Sequence, residues 1–137
     1  MAIEKAKWTF YGYVTPAGGK DVQEWFRGLP EAAQDEARDA LGYLQQLPSN
    51  EWGRPAFAPL GDDIGEIRFK VNVEHEQRTY RIYGTFWPEG QRHSFTFLIG
   101  KDKKVKNDKR GKREAIRRLK KLKLPRTEGG TIHEFEF

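Results

Sequence analysis

The sequence predicts an α+β domain built from an N-terminal strand, a helical hairpin, an antiparallel β-meander and a basic C-terminal helix. The first observation is the strict alternation of polar and apolar residues from Glu66 to Val73, which is typical of a half-buried strand. The second is a pair of earlier stretches in which apolar residues recur at helical spacing. The third is a concentration of lysine and arginine after residue 100.

The N-terminal part predicts one strand and two helices. Lys7 to Val14 is rich in aromatic residues and reads as a strand, which the Pro and Gly residues of the next five positions end. Asp21 to Leu29 has its apolar residues on one face of a short helix. Pro30 suits the start of a second helix, whose alanine and leucine stripe runs to Leu47. We expect this hairpin to cover the apolar face of the meander.

The middle of the chain predicts a loop followed by three antiparallel strands. Residues 51–65 contain several glycines and prolines and are interpreted as a loop. Glu66 to Val73, Thr79 to Trp87 and Ser94 to Ile99 then read as strands, joined by polar turns.

Parity decides which side chains the meander displays. Suppose that the first turn has an even number of residues and that the numbers of two residues facing each other across the strands sum to 151. Lys70 then lies opposite Arg81, and Arg68 lies opposite Tyr83. An odd turn would place Arg81 among apolar residues, where a lone charge is costly. Three cations on one face favour a bound anion, but neighbouring acids such as Glu66 leave open a solvated, ion-paired surface.

The same parity predicts the residues of the hydrophobic core. We expect it to contain Trp25, Phe26, Leu41, Leu44, Phe69, Val71, Ile82 and Phe97.

Length and composition limit the class of protein. We expect one domain over residues 1–137, with a core from about 7 to 122 and a tail from 123 to 137. The first eight residues carry no apolar signal segment and no run is long enough to span a membrane. Together with the absence of cysteine, this favours a cytoplasmic protein. The three scattered histidines show no metal-ligand spacing.

The positive charge is concentrated in one segment. Residues 101–123 carry 13 basic and 3 acidic side chains, whereas the whole chain has a net charge of +5. Such a block favours a polyanion-binding surface, with nucleic acid as the first partner and an acidic protein as the second, or else a flexible tail. Its second half, Lys109 to Leu122, predicts an amphipathic helix with a narrow apolar stripe that contacts the sheet along one edge or needs a partner. Thr131 to Phe137 predicts either an edge strand or a frayed terminus.

Several short motifs resemble one toxin superfamily in their order and spacing. They are Ile67-Arg68, Tyr80-Arg81-Ile82, Asp102-Lys103-Lys104 and Arg113-Glu114-Ala115-Ile116. Over roughly residues 7–122 the chain resembles the RelE/ParE toxins, and within them the phage-derived Gp49-like, HigB-type toxins. Ile99 stands where HigB-type relatives often carry a histidine, and no tyrosine follows Tyr83.

The resemblance implies the toxin of a type II toxin–antitoxin system that cuts mRNA on the ribosome. A ribose 2′-OH would attack the adjacent phosphate without a metal or small-molecule cofactor, and the partners would be an antitoxin protein and ribosome-bound mRNA. A ParE-like gyrase inhibitor and a non-catalytic phage nucleic-acid-binding protein are the alternatives. The candidate catalytic residues are Arg68, Lys70, Arg81 and Tyr83, and the candidate RNA-binding residues are Lys101, Lys103, Lys104, Lys106 and Arg110.

The chemistry of the reaction suggests a role for each catalytic candidate. The planar guanidinium groups of Arg68 and Arg81 suit the charge of a phosphorane. Lys70 is a candidate phosphate clamp, or a base if nearby cations lower its pKa. Tyr83 or His93 is a candidate for proton transfer.

Overall fold

The computed structural model describes residues 7–88, 93–103 and 108–137. Within these residues the chain is an α+β protein with one six-stranded mixed sheet and four helices. The strands are β1 (Thr9–Val14), β2 (Phe57–Gly61), β3 (Ile64–Val73), β4 (Glu76–Thr85), β5 (Ser94–Lys103) and β6 (Thr131–Glu134). The helices are α1 (Asp21–Arg27), α2 (Glu31–Gln45), α3 (Lys109–Leu122) and α4 (Arg126–Gly129).

The sheet contains the predicted meander but is not wholly antiparallel. Its strand order is β2-β3-β4-β5-β1-β6, and β3, β4 and β5 form the antiparallel meander. The expectation of an antiparallel sheet is corrected at β1, which lies parallel to β5 with Thr9 beside Ser94. Parallel neighbours require a long connection, which the helical hairpin and the meander provide here. Phe10 of β1 and Phe97 of β5 stack with their ring centroids 5.1 Å apart.

One strand lies where the sequence predicts only a loop. β2 pairs antiparallel with β3, which itself begins at Ile64, before the predicted start. Phe57 and Ala58 of β2 are buried, and Pro59 is tolerated because β2 is an edge strand. Local composition favours a loop here, so pairing with β3 and burial of Phe57 decide the strand.

The β3–β4 turn corrects the predicted register. Val73 pairs with Glu76, so the loop is Glu74-His75, and both of its residues have positive φ, at 50° and 69°. These are the signs of a two-residue type I′ hairpin. Paired residue numbers therefore sum to 149 rather than 151, and Arg81 lies opposite Arg68. The two sums differ by an even number, so each side chain still lies on the predicted face of the sheet.

The helical hairpin covers one face of the sheet, as predicted. Ala33, Ala37, Leu41 and Leu44 give α2 an apolar stripe, which is buried in the main core. Seven of the eight predicted core residues are buried, and Trp25 is partly buried against them.

Helix α3 covers the opposite face, which corrects the expectation that it contacts only an edge. Ala115 and Leu119 pack with Leu98 and Tyr13 in a second apolar cluster. Arg118 donates hydrogen bonds to the Leu98 carbonyl, at 2.8 Å, and to Asp21. The narrow stripe is sufficient because Ala115 and Leu119 are both buried against the sheet, and Ile116 and Leu122 pack beside them.

The C-terminal segment forms the edge-strand alternative. β6 pairs antiparallel with β1, and Phe135 is buried in the main core. In the part of the chain that the structure describes, no helix combines the length and apolarity needed to cross a membrane.

Candidate functional site

Three basic residues form a row across the meander. Arg68 of β3 pairs with Arg81 of β4, which pairs with Lys101 of β5. We call these three residues the cationic row. Glu66 and Tyr83 pair with each other two positions away on the same face. This is the face that α3 covers, so the N-terminus of α3 lies close to the row.

Glu66 neutralises much of the positive charge of the row. It is 1% exposed and forms ion pairs with Nε of Arg68 and, at 3.2 Å, with Nη1 of Arg81. A buried carboxylate loses its hydration, and two guanidinium partners offset that loss. The sequence left open an anion site or an ion-paired surface. The structure contains the ion pairs, but they are largely buried rather than solvated.

Tyr83 connects the row to α3. Nη1 of Arg81 donates a hydrogen bond to the Tyr83 hydroxyl at 3.1 Å, and that hydroxyl donates to Oδ2 of Asp108 at 3.0 Å. Burial is the largest influence on this phenol and raises the pKa of Tyr83 to about 12, although Arg81 lowers it. The hydroxyl therefore remains protonated at neutral pH.

Asp108 caps α3 and closes the network. Its Oδ1 accepts a hydrogen bond from the Gly111 N–H at 2.9 Å, and its Oδ2 lies 3.6 Å from Nζ of Lys101. Burial by itself raises the pKa of Asp108, but the Gly111 N–H, the Tyr83 hydroxyl and Lys101 together hold the pKa below its usual value. The carboxylate is therefore ionised, and it suits both the cap and the positive end of the helix.

A cleft of about 300 Å³ opens beside this network. Of the described residues that line it, five are basic and two are acidic: Arg54, Arg68, Arg81, Lys109 and Lys112, with Glu66 and Asp108. The side chain of Arg68 is 25% exposed, whereas that of Arg81 is only 4% exposed. The accessible groups are thus cationic, and the cleft is suited to an anion such as phosphate.

The structure brings together only some of the predicted catalytic residues. Arg68, Arg81 and Tyr83 line the cleft. Lys70 is exposed, pairs with Thr79, and lines a separate groove together with Arg68. His93 packs edge-on against Trp8 with ring centroids 5.2 Å apart, at the start of β5.

Of the predicted RNA-binding residues, the structure describes Lys101, Arg110 and the backbone of Lys103. Lys101 joins the network through Asp108. Arg110 is exposed in the first turn of α3. The backbone of Lys103 pairs with Thr79, while Lys104 and Lys106 lie outside the described residues.

Sequence reasoning did not assign Arg54, Asp108, Lys109 or Lys112 to the site. Asp108 had a usable signal, because an aspartate directly before an amphipathic helix is a common N-cap. The sequence contained no such signal for Arg54, since this residue lies in a segment interpreted as a loop. Among the described residues, no group of three or more His, Cys, Asp or Glu side chains is placed to hold a metal ion.

Fold and cleft together define a small basic α+β protein with a mainly cationic cleft between a sheet and a capped helix. The chain belongs to the phage derived protein Gp49-like family (DUF891), whose model matches residues 24–120. That segment includes every residue that lines the cleft. The comparison with curated proteins found no match, and neither did the comparison with solved structures.

Proposed function

We propose that this protein is the toxin of a type II toxin–antitoxin system, with a RelE-like arrangement of its elements, and that it cuts mRNA on the ribosome. The observation that carries the proposal is the cleft in which Arg68 and Arg81 of the cationic row meet Tyr83. Membership of a phage-derived Gp49-like family is compatible with such a toxin.

The proposed reaction is attack of a ribose 2′-OH on the adjacent phosphate. The bond from the 2′-oxygen to phosphorus forms as the hydroxyl proton passes to solvent. The bond from phosphorus to the 5′-oxygen breaks as that oxygen takes up a proton, which leaves a 2′,3′-cyclic phosphate and a 5′-hydroxyl. Arg68 is the accessible guanidinium of the row and would contact the phosphate oxygens. Arg81 holds the second oxygen of Glu66, so it orients the carboxylate that binds Arg68 and adds positive charge beneath the cleft. Both arginines stabilise charge that develops in the transition state.

Proton transfer is assigned to Tyr83. Its raised pKa keeps the phenol protonated. Donation to the departing 5′-oxygen requires the buried hydroxyl to turn from Asp108, to which it donates in this structure, towards the cleft that it lines. Asp108, with its lowered pKa, is a poor base. Lys70 lies in the neighbouring groove and is proposed as a phosphate clamp. Charge stabilisation is therefore the main catalytic contribution in this proposal.

The basic segment supplies the remaining affinity. Lys101, Lys103, Lys104, Lys106 and Arg110 are proposed to hold phosphates of the mRNA or the ribosome. The toxin would act in the cytoplasm, and an antitoxin protein would block its activity.

The test is translation of a defined mRNA in a purified system, followed by mapping of the new 5′ ends. Wild-type protein should produce cuts in phase with codons, and Arg68→Ala should remove them. Arg38→Ala is the matched control, since Arg38 is exposed on α2 and pairs with Asp35. Inhibition of supercoiling without any cut would instead support a ParE-like gyrase inhibitor.

A non-catalytic nucleic-acid-binding protein is the second candidate. The observation in its favour is the burial of Tyr83, which is 0% exposed, together with that of Arg81. A cleft of this kind is suited to binding phosphate through Arg68 and Lys109 but offers its phenol poor access to a leaving group. Salt-dependent RNA binding without new 5′ ends in the translation assay would support this candidate.

A further inference from the structure

A second pocket, mainly apolar, lies under the C-terminal half of α3. It has a volume of about 380 Å³. Its lining includes Phe57, Ile64, Phe86, Trp87, Leu119 and Lys123. Phe86 is 43% exposed and Trp87 is partly buried. An open aromatic-lined cavity of this size falls in the range of small-ligand sites.

This pocket and the cationic cleft lie side by side beneath the same helix. Lys112 lines the cleft, whereas Leu119 and Lys123 line the pocket. At a rise of ~1.5 Å per residue, Lys112 and Leu119 are about 10 Å apart along the helix axis. That distance corresponds to about three stacked nucleotides at ~3.4 Å each, and to fewer in an extended strand.

The walls of the pocket are held in place by hydrogen bonds. The Thr85 hydroxyl donates to the Asp63 carbonyl at 2.7 Å, and the Thr96 hydroxyl donates to the Trp87 carbonyl at 2.9 Å. At the boundary with the cleft, Nζ of Lys112 pairs with Asp62 at 3.1 Å. These contacts fix the walls of the cavity, which lowers the conformational cost of binding.

We propose that this pocket binds a nucleobase of the same RNA strand whose phosphate occupies the cationic cleft. The base would stack on Trp87 and Phe86, because aromatic side chains are the usual platforms for unpaired bases. Lys123 lines this pocket and Lys112 lines the neighbouring cleft, so both can contact the backbone of a strand that runs from one to the other. This inference rests on the proposed function and adds a base-binding subsite to it.

The test measures the affinity of the whole protein for a single-stranded RNA 12-mer and for versions with one base removed at each position in turn. At one position, loss of the base should weaken binding to wild-type protein by about five- to 150-fold, the range found for base–aromatic stacking. With Trp87→Ala, the affinity for the same abasic RNA should be less than about twofold weaker than the affinity for the intact RNA. Trp87→Phe should keep most of the difference.

Removal of a base changes the ligand, so the wild-type result does not depend on the stability of a variant, and Trp87→Phe shows whether a folded variant at this position keeps the effect. Phe137→Ala is the control for loss of an exposed aromatic ring, because Phe137 lies in the C-terminal tail and is absent from the pocket lining. It should retain the full abasic effect.

The outcomes separate the two proposals. One outcome is that RNA binds wild-type protein through Arg68 with equal affinity whichever base is removed. This outcome would contradict the base-binding subsite but not the proposed function. An abasic effect that persists in Trp87→Ala would also contradict the subsite. A wild-type protein that binds no RNA overturns both.

Discussion

The Tyr83 hydroxyl donates a hydrogen bond to Oδ2 of Asp108, and this bond joins the middle of the sheet to the N-cap of α3. Both residues also bind the cationic row, Tyr83 through Arg81 and Asp108 through Lys101. The position of the helix and the charge state of the cleft therefore depend on the same few contacts. Changes at this junction are expected to alter stability and anion binding together.

Gly111 is predicted to be essential to the junction. A Cβ at this position would lie 2.2 Å from Oδ2 of Asp108 and 2.7 Å from Cε2 of Tyr83. Gly111→Ala should therefore lower the free energy of unfolding by about 1–3 kcal/mol, the usual cost of overpacking. Urea denaturation measures the effect.

Gly42 provides the matched control within α2. A Cβ there meets no atom within 4 Å, so Gly42→Ala should raise the free energy of unfolding by about 0.5–1 kcal/mol, the preference of a helix interior for alanine. Equal stabilisation by both substitutions would contradict the close approach of α3 to the sheet.

Tyr83 is predicted to make stability fall at alkaline pH. Its pKa is raised from 10.0 to about 12 in the folded protein, so the folded state keeps a proton that the unfolded state loses. The stabilising contribution is complete below pH 10 and disappears as the pH rises to about 12. A shift of this size corresponds to about 2–3 kcal/mol. Denaturation of wild-type protein across this pH range measures the decline.

Tyr83→Phe should remove this contribution, so the free energy of unfolding should decline less steeply as the pH rises. Tyr43→Phe is the control, because Tyr43 is 59% exposed on α2 and its loss should leave the pH profile as in wild-type protein. Identical alkaline profiles for wild-type protein and Tyr83→Phe would exclude the proposed burial of the phenol.

Arg81 is predicted to matter for both stability and cleavage. Arg81→Ala removes one of the two cations that neutralise buried Glu66, and breaking a buried pair costs about 3–5 kcal/mol. The rate of mRNA cleavage should fall by about 100- to 1,000-fold, the usual effect of losing a donor to developing charge. Arg81→Lys should recover little, because an ammonium group lacks the planar fork.

A double variant separates the two effects. Glu66→Gln combined with Arg81→Gln should recover much of the stability without recovering cleavage, since a neutral pair needs no buried counter-charge. Melting temperature and 5′-end mapping are measured on the same samples. If the double variant cuts mRNA at the wild-type rate, Arg81 has a structural role only.

The basic segment is predicted to determine the salt dependence of RNA binding. Replacing Lys103, Lys104 and Lys106 by alanine should reduce the slope of log K against log salt by about 0.7 for each phosphate that is no longer bound. The reduction should be the same for RNAs of different sequence. An unchanged slope would show that these lysines do not bind RNA phosphates.

Much of the fold could be predicted from periodicity alone. The alternation from Glu66 to Val73 identifies the buried face of β3, and the stripe of Ala115, Ile116, Leu119 and Leu122 predicts the helix from Lys109 to Leu122. Both are local patterns, and each has its own geometric period. The exact β3–β4 register could not be predicted, because it depends on which two residues adopt positive φ in the turn.

The sequence by itself determined most of the elements, their apolar faces and the position of the excess positive charge. Only the tertiary structure decided that β2 is a strand, that α3 covers the face carrying Arg68 and Arg81, and that Asp108 meets Tyr83. Those features arise from contacts between residues far apart in the chain. Burial, ion pairing and the raised pKa of Tyr83 depend on which distant residues become neighbours in the folded chain. A local sequence pattern does not contain that information.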